Sequence, residues 1–73
     1  MGDAIRLCSG AEAIKKFQRA GWRVDRRKGS HVMPVKQGYD YTLSIPQHAT
    51  LGIGILRKLI RQASISVEEF NNL

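Results

Sequence analysis

Arg26-Arg27-Lys28-Gly29-Ser30-His31 decides how this chain is read. Trp22-Arg23-Val24 precedes it and Val32-Met33 follows it, and both flanks have strand character. The combination reads as a β-hairpin turning at Lys28-Gly29-Ser30, where glycine supplies a positive φ that other residues adopt only at a cost. His31 then opens the second strand beside three cations. An imidazole exchanges its proton near neutral pH, and clustered cations attract phosphate. Together they are the raw material for RNA cleavage.

Outward from the hairpin, the period on the N-terminal side is helical. Ser9-Gly10-Ala11-Glu12 is a capping box: the serine hydroxyl accepts from the Glu12 amide and the Glu12 carboxylate reaches back to the Ser9 amide. Ala13, Ile14, Phe17, Ala20 and Gly21 recur on one apolar face, Lys15, Lys16 and Arg19 fall away from it, and Gly21 suits a C-terminal cap. Residues 1–8 read as an arm, with Ile5 and Leu7 able to dock. From Trp22 the period changes to two, with Trp22, Val24 and Arg26 on one face and Arg23, Asp25 and Arg27 on the other. His31, Met33 and Val35 share a face of the next strand. Pro34 has no amide donor, so that strand should lie at an edge there or carry a bulge.

Lys36-Gln37-Gly38 reads as a second turn. Tyr39, Tyr41, Leu43 and Ile45 then alternate with Asp40, Thr42 and Ser44 as a strand ending at Pro46. Gln47 to Leu51, with the second histidine His48, is a loop. A helix begins between Gly52 and Gly54, with Ile53, Leu56, Leu59, Ile60 and Ala63 inward and Arg57, Lys58 and Arg61 outward. The two glycines weaken its first turn. A second capping box, Ser66-Val67-Glu68-Glu69, starts a short final helix, and Ile65 and Phe70 can form its hydrophobic staple. The order is α-β-β-β-α with a short extra helix. This is an α+β two-layer sandwich with a three-stranded antiparallel sheet, the two main helices on one face and the other face free.

The chain has 73 residues, enough for one domain, 1–73, with a small core that buries only about 60% of the unfolded surface. No apolar run is long enough to span a membrane. Met1-Gly2-Asp3-Ala4 lacks the basic-then-apolar pattern of a secretory leader, and Cys8 is the single cysteine, which fits a cytoplasmic protein. Formal charge is +6 and the sequence pI about 10.1. The cations crowd between Lys15 and Lys36 against the single acid Asp25, which implies a polyanion or an acidic protein as partner.

Several chemistries are set aside. No Walker loop or GxGxxG is present, and Gly52-Ile53-Gly54 alone is too weak a nucleotide signal. Two separated histidines, one cysteine and six scattered acids offer no metal cluster, so no cofactor is expected. Cys8, in an apolar arm, reads as a packing residue. Metal-free RNA cleavage requires less, because the 2′-hydroxyl is its own nucleophile. His31 is the candidate catalytic residue, and Arg26, Arg27, Lys28 and Ser30 are candidate phosphate contacts. A lone histidine beside a turn is more often an ordinary surface residue, so residue types alone leave catalysis the minority reading. His48 fits a phosphate contact or loop closure better than catalysis.

Ser9-Gly10 leading into an amphipathic helix, Ala20-Gly21-Trp22, Arg26 to His31, Ile45-Pro46-Gln47-His48, the run from Gly54 to Ala63 and Ser66-Val67-Glu68-Glu69-Phe70 stand in an order that resembles the HicA family of toxins. The resemblance covers nearly everything from Ser9 onward. It implies a fold like that of double-stranded-RNA-binding domains, ribonuclease activity on mRNA, and a HicB-type antitoxin as protein partner. It also implies that His31 is catalytic and that Gly29 makes the turn presenting it. Two other classes fit the same cations: a non-catalytic RNA-binding module of that fold, and a basic adaptor for an acidic protein. The start of the second main helix carries no cation before Arg57, which reads against tight duplex binding across the grooves.

Overall fold

The computed structural model describes residues 4–73. The reading of Met1 to Asp3 as free of a leader lies outside the described residues. The elements are α1 (Gly10–Arg19), β1 (Arg23–Lys28), β2 (His31–Val35), β3 (Ile45–Pro46), α2 (Ile53–Gln62) and α3 (Val67–Asn72). The three strands form an antiparallel meander in the order β1-β2-β3, giving the expected α+β architecture.

Both capping boxes form. Ser9 Oγ accepts from Glu12 N at 3.0 Å while Ser9 N donates to a Glu12 carboxylate oxygen at 2.9 Å. Ser66 and Glu69 repeat this arrangement at the start of α3. The free N–H groups of a first helical turn must find acceptors, and these pairs satisfy them locally. Helix α2 starts at Gly52 with no side-chain cap, as its two glycines suggested.

The core gathers Ala13 and Phe17 of α1, Trp22, Leu43, Ile45, Leu51, then Leu56, Leu59 and Ile60 of α2, and Phe70 of α3. Ile5 and Cys8 of the arm join it, but Leu7 remains 55% exposed, so only one of the two expected anchors docks. The arm is tied to α3 instead: Arg6 N donates to Asn71 Oδ1 at 3.0 Å and Asn71 Nδ2 donates to the Ala4 carbonyl at 2.9 Å. Burial raises the Cys8 thiol pKa and keeps it a packing group.

Three further expectations are corrected. The first concerns Lys16. It does not fall away from the core but lies half-buried, its Nζ donating to the Phe70 and Leu73 carbonyls at 3.1 and 3.3 Å and sitting 5.0 Å from the Phe70 ring centroid. Phe70 also packs on Phe17, with centroids 5.6 Å apart.

The second concerns the third strand, which is two residues long rather than running from Tyr39 to Ile45. Pro34 is responsible. Leu43 N donates to the Pro34 carbonyl at 3.0 Å, but proline has no N–H to return the bond, and the ladder stops there. Tyr41 is 55% exposed, while Tyr39 packs against Trp22 at 5.3 Å beside the Lys36–Gln37–Gly38 turn.

The third concerns β1. Its register runs Lys28↔His31, Arg27↔Val32, Arg26↔Met33, then jumps to Val24↔Pro34. Asp25 is the extra residue of a bulge lying close to the proline, on the partner strand rather than on β2 itself. A bulge reverses the alternation, so Val24 turns toward the buried face while Arg26 does not share that face as expected. Both β1 and β3 are sheet edges; the bulge and the exposed charges of β1 blunt it against strand addition.

Candidate active site

Gly29 and Ser30 make a two-residue hairpin loop between Lys28 and His31. Gly29 has φ +60° and Ser30 has no positive φ, the signature of a II′ turn, whose twist matches that of the strands it joins. The loop is also held from the β3 side, where Gln47 N donates to the Ser30 carbonyl at 2.8 Å. Gln47 Nε2 bonds the Ile45 carbonyl at 3.0 Å, and Gly10 N of α1 bonds the His48 carbonyl at 2.9 Å. The start of α1, the chain after β3 and the hairpin tip therefore form one backbone-bonded unit.

His31 stands exposed at the first position of β2, with Lys28 as register partner on one side and Pro46 on the other. Directly opposed residues of antiparallel strands point to the same face. Val32 pairs with Ile45, a core residue, so the Val32 face is the helix-covered one. His31, Lys28, Met33 and Arg26 thus share the free face, and Arg27, opposite Val32, is directed to the other. The structure brings Lys28 and Arg26 together with His31 and separates Arg27 from them.

His31 also borders a cleft of about 260 Å³, whose other lining residues are Thr42, Ser44, Pro46, Ile55, Lys58, Leu59 and Gln62. One wall comes from β2 and the chain through β3, the other from α2. The free face is therefore not a plain sheet surface; α2 supplies a second side to the site. The α2 residues and Thr42 and Ser44 were not singled out from the sequence. Their signal was present: Thr42 and Ser44 alternate with the buried Leu43 and Ile45, and 55, 58, 59 and 62 recur at helical spacing.

His48 is exposed but is not among the side chains lining this cleft; its carbonyl caps α1. Lys36 is committed elsewhere: its Nζ donates to the Ala20 carbonyl at the end of α1 at 2.8 Å and lies 4.9 Å from the Tyr39 ring centroid. Among the described residues, no three His, Cys, Asp or Glu side chains come together as a metal site. Among them too, no helix is long and apolar enough to cross a membrane.

An exposed imidazole, a lysine directly across the strand and a small cleft with a cation on its far wall can hold a phosphodiester and move a proton beside it. A family model described as "HicA toxin of bacterial toxin-antitoxin" matches residues 10–65, which include all six elements except α3. The search of curated proteins returns no significant match.

Proposed function

Because the chain belongs to the HicA toxin family, the toxin component of bacterial toxin–antitoxin systems, we propose that it cleaves mRNA with His31 as its proton-transfer residue. The observation that carries this reading is the position of His31, solvent-open at a tight turn and at the mouth of the cleft, with Lys28 directly opposite.

In this reaction His31 accepts the proton of a ribose 2′-hydroxyl. The 2′-oxygen attacks the adjoining phosphorus, the bond to the 5′-oxygen breaks, and the leaving oxygen takes up a proton from solvent or from the imidazolium just formed. One fragment keeps a 2′,3′-cyclic phosphate and the other a 5′-hydroxyl. Lys28 and Arg26 sit on the face where negative charge builds up on the phosphate, and fixed cations there stabilise the transition state more than the ground state. Ser30 at the turn offers a hydroxyl to a phosphate oxygen, and Arg27 adds to the field that attracts the strand. The nucleophile belongs to the substrate, so the chemistry needs no metal. A HicB-type antitoxin in the cytoplasm would neutralise the toxin by covering His31 and the basic turn.

The test compares the protein with its His31→Ala variant on end-labelled RNA with chelator present. Cyclic-phosphate ends from the unmodified protein, with cleavage lowered about 10²- to 10⁴-fold in the variant, are expected. Equal cleavage by the variant removes His31 from the mechanism. Intact RNA with salt-dependent binding would instead identify a non-catalytic RNA-binding module.

A further inference from the structure

We infer that the cleft beside His31 is a nucleobase pocket in which α2 reads the residue next to the cleaved phosphate, with Gln62 as the reading side chain and Lys58 as a phosphate contact. This rests on the ribonuclease reading for its substrate and goes beyond it in naming where sequence preference is set.

The size of the cleft limits what enters. About 260 Å³ lies below the roughly 300–1,000 Å³ of pockets that hold drug-sized ligands, so it suits one planar ring rather than two stacked ones. Its chemistry limits it further. Pro46, Ile55 and Leu59 offer apolar surface for ring faces, and Thr42, Ser44 and Gln62 offer hydrogen bonds for ring edges. Each hydroxyl both donates and accepts, and the glutamine amide carries donor and acceptor side by side, the pattern that pairs with a base edge. No carboxylate lines the cleft to repel a phosphate.

The placement is coherent with cleavage at His31. Lys58 and Gln62 are four residues apart, hence neighbours on one face of α2. His31 and Lys58 border the same space as Gln62, so base, imidazole and ammonium share one cleft. Single-stranded RNA is the form that fits, because only an unpaired base can leave the stack and present its edge.

The probes are short fluorescent 2′-O-methyl oligoribonucleotides, which cannot be cleaved, in versions rich in A, C or U. Binding is followed by anisotropy. The unmodified protein should rank the three. Gln62→Leu should cost the preferred base about fivefold or more of its advantage. Lys58→Met should weaken all three alike and lower the slope of log affinity against log salt by about 0.7. Thr42→Val, at an exposed position on the opposite wall, is an independent variant that should also alter the ranking if Gln62→Leu fails to fold. An unchanged ranking in both Gln62→Leu and Thr42→Val overturns the pocket. So does unaltered RNA binding by these variants accompanied by lost antitoxin binding, which would make the cleft a protein contact.

Cleavage of ordinary RNA is measured alongside. If RNA survives but the ranking responds to the variants, the pocket stands and the nuclease reading fails. If RNA is cut but the ranking is indifferent, the reverse holds.

Discussion

Replacing Gly10 by alanine pits helix propensity against packing. Gly10 is the first residue of α1, and alanine favours a helix by up to about 1 kcal/mol over glycine. Local preference alone therefore says that Gly10→Ala stabilises. The surroundings say the opposite. A Cβ at this buried position would run into the Pro46 carbonyl oxygen and lie 2.8 Å from the Gln47 Cα. Both are backbone atoms, so no side chain can swing aside, and ordinary carbon contacts require about 3.5–4.0 Å.

Overpacking of this kind costs about 1–3 kcal/mol, and loosening the Gly10 N–H bond to the His48 carbonyl removes about 1 kcal/mol more. Set against the helix gain, the net loss is about 1–3 kcal/mol. At roughly 4–8 °C per kcal/mol for a domain of this size, the melting temperature should fall by about 5–20 °C. Thermal denaturation followed by circular dichroism measures this directly. Activity should fall as well, at temperatures where both proteins are folded, because Pro46 is in register with His31 and Gln47 holds the Ser30 carbonyl. A variant that melts at or above the parent temperature would refute the argument.

Gly29→Ala tests conformation without collision: its Cβ would meet nothing within 4 Å, so the cost of φ +60° stands alone at about 1–2 kcal/mol, with cleavage reduced because the turn presents His31. Gly38→Ala, at φ +88° and equally open, should lose similar stability in a thermal melt yet cleave RNA at the parental rate. Arg26→Gln and Lys28→Gln should each lower the log–log salt slope of single-stranded RNA binding by about 0.7, and Arg27→Gln, on the other face, by less; equal effects from all three would contradict the assignment of RNA to the His31 face. The Ser9 N–H and then the Ser9 hydroxyl, bonded to Glu12, hold its carboxyl below the usual 4.5. The folded value being depressed, the stability this contributes is present above 4.5 and lost as pH falls through the folded value. Melting temperature against pH should show Glu12→Gln less stable near neutrality, with the difference closing on the acid side.

What could be read from residue order was whatever depended on near neighbours. Ser9 with Glu12 and Ser66 with Glu69 are complete three residues apart, so both helix starts were visible in advance. So was the turn at Gly29, because one glycine between two strand patterns determines it. The third strand was not, since its length depends on a hydrogen bond that Pro34, nine residues upstream of Leu43, cannot make. Arg26 and Arg27 looked alike as members of one basic run. Alternation alone places them on opposite faces; the extra residue at Asp25, which has no signature of its own, parts Arg26 from Val24 and leaves it on the His31 face. Lys16 and Lys36 looked like free charge, because nothing local shows that the Phe70, Leu73 and Ala20 carbonyls will come within reach of their ammonium groups. Lys58 read as the outer side of a helix, and with Gln62 became half of a cleft only when that helix was placed beside Thr42 and Ser44.

The tail of the chain completes what the head begins. Phe70 covers Phe17, the Phe70 and Leu73 carbonyls receive Lys16, and Asn71 holds both Ala4 and Arg6. Translation delivers the head first. A nascent chain that has reached His31, or even Gln62, already carries every side chain proposed for cutting but lacks the lid that closes its core. On the proposed ribonuclease reading, the residues for cutting are therefore in place in the sequence well before the contacts that α3 makes with Phe17 and Lys16 can close the core around them.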